Sequence, residues 1–182
     1  TFGSTVVAAY TAASKVGQLT TQPGITFGVT IATYCAQNLG AQKIERIRDG
    51  VRKCSLISLC FSLFGAIIVV IFGGTFTQFF MNQIEADVIH YSSMYLNVAA
   101  GFFVVLGQLF IHRNALQGMG NSFVPMMAGA SELLMRVIVA FTLSQIFGYI
   151  GVCFANPIAW IGAEIPLAIT YFRTIKRMLR QQ

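Results

Sequence analysis

The 182-residue chain is 55% hydrophobic and only 10% charged, whereas a soluble domain usually carries about 25% charged residues. Together with a mean hydropathy of +0.70, this composition excludes an ordinary soluble enzyme or binding domain. It predicts an all-α, polytopic helical protein that resides in a lipid bilayer, because lipid cannot satisfy an open backbone. The formal net charge of +6 clusters at segment ends, which indicates a topology signal and argues against nucleic-acid binding.

Five stretches are long enough to cross a bilayer, since a spanning helix needs about 20 mostly apolar residues. They cover residues 4–38, 55–80, 88–111, 122–147 and 151–172. The connections are short, which predicts antiparallel neighbours. Pro23 lies within the first stretch and is expected to break or kink that helix, because its ring lacks an N–H and would clash with the Leu19 carbonyl.

The basic residues give an orientation. Lys and Arg occur after spans one, three and five, in GAQKIERIRDGVRK, HRNALQGMGN and RTIKRMLRQQ, and are absent from MNQIEADVIH and FGYI on the opposite side. Basic loops stay cytoplasmic, so Cys54 is expected at the cytoplasmic edge and Asn82 outside. This alternation places Thr1 outside, and an odd number of spans that begins outside predicts at least one preceding helix in the same protein.

The first span is unusually polar before Pro23, and three of its long polar side chains, Lys15, Gln18 and Gln22, are candidate cavity-lining residues. One interpretation is close helix packing, with Lys15 snorkelling outward. The other is a bent helix that lines a water-filled cavity. Both interpretations stay open at the level of the sequence.

A second polar stripe occurs in the third span, where Asn97, Gly101, Val104 and Gln108 recur at i, i+4, i+7 and i+11. In a continuous helix these residues share one face. That face should meet protein or water, because lipid would leave the amides unpaired. Asn97 and Gln108 are therefore candidates either for interhelical hydrogen bonds or for contact with a substrate.

Ionisable residues interrupt the last two spans. Glu132 and Arg136 are four apart in SELLMR, so they share a helix face and can pair. Each alone would cost roughly 2.5–3.5 kcal/mol near a helix centre on insertion scales. The pair is either a structural salt bridge, in which case neutralising both partners should recover the stability lost on neutralising one, or an ion-coupling site.

Glu164 is a second intramembrane acid, and it has no basic residue at i±3 or i±4. It is either a proton carrier or a group that hydrogen-bonds to a neighbouring span or lies near the cytoplasmic interface. The sequence contains no GxSxG, HExxH or P-loop motif, so we expect no enzyme. His90 and His112 fall near opposite ends of one span, and the four cysteines show no CxxC spacing, so we expect no metal site.

Three segments resemble the MATE (multidrug and toxic compound extrusion) transporters. PGITFGVTIATYCAQNLGAQKIERI is similar to the second helix of their second lobe, including its QNxGA connector. HRNALQGMGNSFVPMMAG resembles the helix end and loop found two helices later, and GYIGVCFANPIAW resembles the start of the last helix. The resemblance implies that these five spans are helices eight to twelve of a twelve-helix exporter, most of its six-helix C-terminal lobe.

The resemblance further implies a secondary active antiporter of the plasma (inner) membrane, in which Na⁺ or H⁺ entry drives export of organic cations or other amphipathic small molecules. The N-terminal lobe and the preceding helix would be the missing partners, and no further cofactor is implied. Some family members carry a coupling aspartate in the helix that corresponds to 88–111, but this chain has only Asp87 at its outer end. Coupling through Glu132 or Glu164 is thus a hypothesis from the residues alone.

Two other functions remain open at this stage. The wider superfamily shares this helical plan with lipid-linked oligosaccharide flippases, which makes a flippase the alternative within transport. A non-transporting membrane module or an intramembrane enzyme is the alternative outside it.

Overall fold

The computed structural model describes residues 4–79 and 86–181, and the regular structure in these ranges is helical. The helices are α1 Ser4–Gly40, α2 Ile44–Gln78, α3 Ala86–Ala100, α4 Phe103–Gly118, α5 Phe123–Phe147, α6 Tyr149–Cys153 and α7 Ala155–Leu179. The predicted all-α class is confirmed. Thr1, Asn82, Glu85 and the predicted end of the second span at Phe80 lie outside the described residues, and the topology that depends on them stays a prediction.

Within the described ranges, three segments are long and apolar enough to cross a membrane: α2, α5, and α6 together with α7. The pair formed by α3 and α4 qualifies as a fourth span if the bent pair is counted as one. The remaining predicted span is the first in the chain. It corresponds to α1, which is 37 residues long but less apolar than these. Lys15 is its only charged residue, so its Ser, Thr and Gln side chains are what lower its hydropathy.

Two helices extend well beyond the predicted apolar spans. α2 begins at Ile44, and the basic segment IERIRDGVRK forms its first turns because Ile44, Ile47 and Val51 are buried at helical spacing. α7 likewise continues to Leu179, with Tyr171 and Ile175 buried on one face. Much of the sequence predicted as basic loop is therefore amphipathic helix, which packs one side inward and leaves its cations exposed.

The predicted continuous helix over 88–111 is wrong. α3 ends at Ala100 and α4 starts at Phe103, with a bend of 52° between them. Gly101 lies in the break, where its lack of a Cβ disfavours continued helix. The stripe Asn97, Gly101, Val104 and Gln108 therefore does not share one helix face, because its spacing rule holds only for an uninterrupted helix.

α1 is a single helix through Pro23, so the predicted break does not occur, and a kink at Pro23 stays a prediction. Nearby hydroxyls bond back to the helix: Thr20 Oγ1 donates to the Val16 carbonyl at 3.0 Å, and Thr21 Oγ1 donates to the Gln18 carbonyl at 3.0 Å. The carbonyl that loses its helical partner at Pro23 is that of Leu19, and neither hydroxyl bonds to it.

α4 occupies the middle of the bundle, where it contacts α1, α2, α5 and α7. Leu109, Ile111 and Leu116 of this helix are almost fully buried. At its end, a Cβ on Gly118 would overlap the backbone of Ala32 in α1, so glycine permits the two helices to approach closely. The central position of α4 places its two ionisable side chains, His112 and Arg113, between neighbouring helices.

Candidate functional site

The predicted pair in α5 is present. Arg136 Nη2 donates to Glu132 Oε1 at 2.8 Å, and the Glu132 side chain is 15% exposed. A second guanidinium completes the cluster, since Arg113 Nη2 of α4 donates to Glu132 Oε2 at 2.7 Å. Both carboxylate oxygens are thus held by charge-assisted hydrogen bonds. The cluster ties α4 to α5 and leaves a net positive charge at this point of the bundle.

Arg113 lies in a segment that the sequence predicts as a basic loop, and its contact with Glu132 was not predicted. α4 continues past Arg113 to Gly118, and the short turn before Phe123 makes α4 and α5 a hairpin. A cation a little before such a turn and an acid a little after it are brought to similar depth. The positions of Arg113 and Glu132 on either side of a short turn could have indicated their contact. The contact was missed because α4 was not predicted to continue to Gly118.

The second acid, Glu164 of α7, also has a partner. Its Oε1 lies 2.6 Å from His112 Nδ1 of α4, with side-chain exposures of 15% for Glu164 and 9% for His112. The imidazole packs on Tyr171 and Phe172, with ring centroids 5.2 and 5.8 Å away. This contact is the interhelical hydrogen bond that was one of the interpretations of Glu164. The other oxygen, Oε2, is buried and has no hydrogen-bond partner among the described residues.

His112 was considered in the sequence only as a metal ligand, and its role as the partner of Glu164 was missed. Glu164 had no basic residue nearby on its own helix, so any partner had to come from another span. The chain has only two histidines, which made His112 one of few possibilities. In the part of the chain that the structure describes, no group of three or more His, Cys, Asp or Glu side chains could hold a metal.

Seven polar residues of α1 lie on its exposed side. Thr11, Lys15, Gln18, Gln22, Thr26, Thr33 and Gln37 are all exposed, and their spacing places them on one face, which Val29 interrupts. We call this set the α1 polar face. The hydroxyls of Thr11, Thr26 and Thr33 bond back to carbonyls of their own helix.

The longer side chains of the α1 polar face are not satisfied in this way. No hydrogen bond or ion pair joins the side chains of Lys15, Gln18 or Gln22 to any described residue. α1 packs into the lobe through small residues such as Ala9, Ala12 and Ala13, while Lys15, Gln18 and Gln22 point away from it. In a bilayer, such side chains must meet water or further protein.

The other two polar candidates lie on α3 and α4. Asn97 is exposed on α3. Gln108 of α4 is half-buried, and its Nε2 donates to the Ser55 carbonyl of α2 at 3.1 Å. Gln108 therefore makes the interhelical hydrogen bond that was one of its two interpretations. It also lines a groove that α2, α4 and α7 form together.

The family model MatE matches residues 1–142 of the chain. No curated protein matches the sequence.

The fold is shared with solved transporters. An outward-facing conformation of a multidrug resistance MATE family transporter of the MOP superfamily is 17% identical with a TM-score of 0.88, over 96% of this chain and 39% of that one. MATE in complex with MaL6 is 17% identical with a TM-score of 0.89, over 98% and 40%. A MOP superfamily transporter from Pyrococcus furiosus, described as having a binding pocket of reverse polarity, is 17% identical with a TM-score of 0.80, over 97% and 39%. The chain thus spans about two fifths of the length of these proteins.

Proposed function

The chain belongs to the MATE family of transporters, and on that premise we propose that it forms most of the C-terminal lobe of a secondary active multidrug efflux antiporter. The exported compounds are organic cations or other amphipathic small molecules, and H⁺ moves in the opposite direction. The remaining helices, an N-terminal lobe and one helix before α1, belong to the same protein. The chain's coverage of about 39% of a related transporter supports this division.

The α1 polar face is the observation that carries the proposal. It presents Lys15, Gln18 and Gln22 away from every described helix, along the predicted span that is less apolar than the others. A polar helix face in a membrane marks a protein contact or a water-filled path. A cavity between two lobes brings the helix into contact with water and with the other lobe, whereas a lipid-facing position offers no polar partner. We therefore assign the α1 polar face to the wall of the transport cavity.

The two intramembrane acids, Glu132 and Glu164, differ in whether they can bind and release a cation or a proton. Both oxygens of Glu132 already accept a hydrogen bond from a guanidinium group, so a transported cation would have to compete with two fixed positive charges. Glu164 has one occupied oxygen and one buried oxygen without a partner in the described residues. A carboxyl and an imidazole in contact can also share and pass on a proton. We therefore propose Glu164 with His112 as the coupling pair and Glu132 as a structural group.

The charge surroundings of this pair are basic. Arg113 follows His112 on α4, and three cations, Arg48, Arg52 and Lys176, line the groove onto which His112 opens. No carboxylate other than Glu164 lies within ion-pair distance of His112 among the described residues. The two groups offer two imidazole nitrogens and two carboxylate oxygens, which are few oxygen ligands for a hard cation and favour H⁺ over Na⁺ as the coupling ion.

Cysteine accessibility tests the cavity assignment. In full-length protein lacking its native cysteines, single cysteines at Gln22 and Thr26 are expected to react quickly with a charged, membrane-impermeant thiol reagent, because the thiolate forms in water. Leu134, which is exposed but apolar on α5, supplies the control position in the lipid-facing surface. Ethidium should protect the two α1 positions and leave the control unchanged.

Equal, slow labelling at Gln22, Thr26 and Leu134 would contradict the assignment, because it would place the α1 polar face in a dry contact. Protection by a lipid-linked saccharide, with none by ethidium, would point to the flippase alternative instead.

A further inference from the structure

A groove of about 710 Å³ runs between α2 and α7, with α4 as its floor. No residue of α1 lines it, so it is distinct from the α1 polar face. α4 contributes Gln108 and His112 to the floor, and the Gln108 amide is already bonded to the Ser55 carbonyl. We call this feature the α2–α7 groove.

One end of the α2–α7 groove is basic. Arg48 and Arg52 of α2 and Lys176 of α7 line it, and all three side chains are exposed. Asp49 pairs with Arg48 at 3.1 Å, but both side chains are more than half exposed. Exposed pairs of this kind contribute little, so the Arg48 guanidinium can take a stronger anionic partner. The basic end thus places three cationic side chains where they can contact one anionic group of a ligand.

The walls of the α2–α7 groove are apolar beyond its basic end. Leu56 and Leu59 of α2 line one wall, and Tyr171 and Phe172 of α7 line the other. From Arg48 to Leu59 the groove follows α2 for about 16 Å at 1.5 Å per residue, which is roughly half the thickness of a bilayer's hydrocarbon core. A cationic end followed by an apolar slot matches an amphiphile with an anionic head.

We propose that the α2–α7 groove binds one anionic phospholipid. Its phosphate lies among Arg48, Arg52 and Lys176, and the first part of an acyl chain lies against Leu56 and Leu59. Basic pockets between membrane helices are suited to such head groups. A free phosphate would leave the apolar walls uncovered, and a zwitterionic lipid would bring its own cation to three others. The proposal requires only membrane residence and is independent of the transported substrate.

Native mass spectrometry of the full-length protein tests the proposal. In the presence of equal amounts of phosphatidylglycerol and phosphatidylcholine, the protein is expected to retain phosphatidylglycerol preferentially. Replacing all three cations, R48Q with R52Q and K176Q, should weaken that retention by about tenfold or more, since each cation near an anionic head group contributes. The control R46Q with K53Q and R177Q removes the same charge from exposed positions on the same helices that do not line the groove, and it should retain the lipid.

A second variant separates the slot from its charges. Ser55→Phe fills the α2–α7 groove while all three cations remain, and it should also lower phosphatidylglycerol retention. Equal loss in the control variant, or equal retention of both lipids, would overturn the proposal. Displacement of the lipid by glycerol phosphate would show a free-phosphate site. Absence of any retained lipid from wild-type protein would show that the rest of the protein fills the groove, which also overturns it.

Discussion

Glu132→Gln is expected to lower the amount of folded full-length protein in the membrane more than either arginine substitution in the same cluster. The change leaves Arg113 and Arg136 without a counter-ion, and the two side chains are 22% and 43% exposed. Breaking a buried pair from one side typically costs about 3–5 kcal/mol. Because Arg136 is nearly half exposed, we expect a loss near the lower end, measurable as reduced yield and a lower unfolding temperature in detergent.

The arginine substitutions should be milder because Glu132 keeps one partner in each. The pair predicted from the sequence implied that Glu132→Gln with Arg136→Gln would recover much of the lost stability. The cluster changes that expectation, because Arg113 would then remain without its carboxylate. The triple replacement of Arg113, Glu132 and Arg136 by glutamine should recover more than the double replacement does.

A matched control is Asp87→Asn, which removes one carboxylate from an exposed position at the start of α3. It should leave yield and unfolding temperature unchanged. Normal stability of Glu132→Gln together with loss of export would contradict the structural role that we give this cluster.

Glu164→Gln is expected to abolish export while leaving abundance near normal. Glutamine can still hydrogen-bond to a neutral His112 across the 2.6 Å contact, so we expect a change in unfolding free energy within about 1.5 kcal/mol. The side chain can no longer take up or release a proton, and the coupled step fails. The measurement is ethidium efflux from cells expressing the full-length protein, normalised to the amount in the membrane.

Glu45→Gln provides the control, because Glu45 is an exposed acid in the first turn of α2, and it should export normally. Full export by the Glu164→Gln protein would remove the pair from the coupling mechanism. Loss of folded protein would instead assign Glu164 and His112 a structural role like that of Glu132.

The parts of this structure that were predictable from sequence depend on local spacing. The i, i+4 relation between Glu132 and Arg136 holds in any continuous helix, and that contact is present. The partners Arg113 and His112 depend on which helices are neighbours and at what depth, and neither follows from spacing along one helix. For the same reason, the prediction that Asn97 and Gln108 share one helix face is wrong, because the bend at Gly101 changes the direction of the helix that follows.

The α1 polar face illustrates the same division. Its residues could be recognised from the sequence as a polar run before Pro23. The direction in which Lys15, Gln18 and Gln22 point could not be predicted. It depends on which side of α1 packs against α2, α3 and α4. The extended ends of α2 and α7 were missed because hydropathy marks the lipid-facing part of a helix and not its amphipathic continuation.

Transport by the purified full-length protein in liposomes tests the central claim most directly. With an imposed pH gradient and no Na⁺ gradient, we predict that ethidium moves against its concentration gradient and that a protonophore stops it. The Glu164→Gln protein, reconstituted in equal amount, should not respond to the pH gradient. Absence of gradient-driven ethidium movement in the wild-type protein, or movement driven by Na⁺ alone, would contradict a proton-coupled exporter.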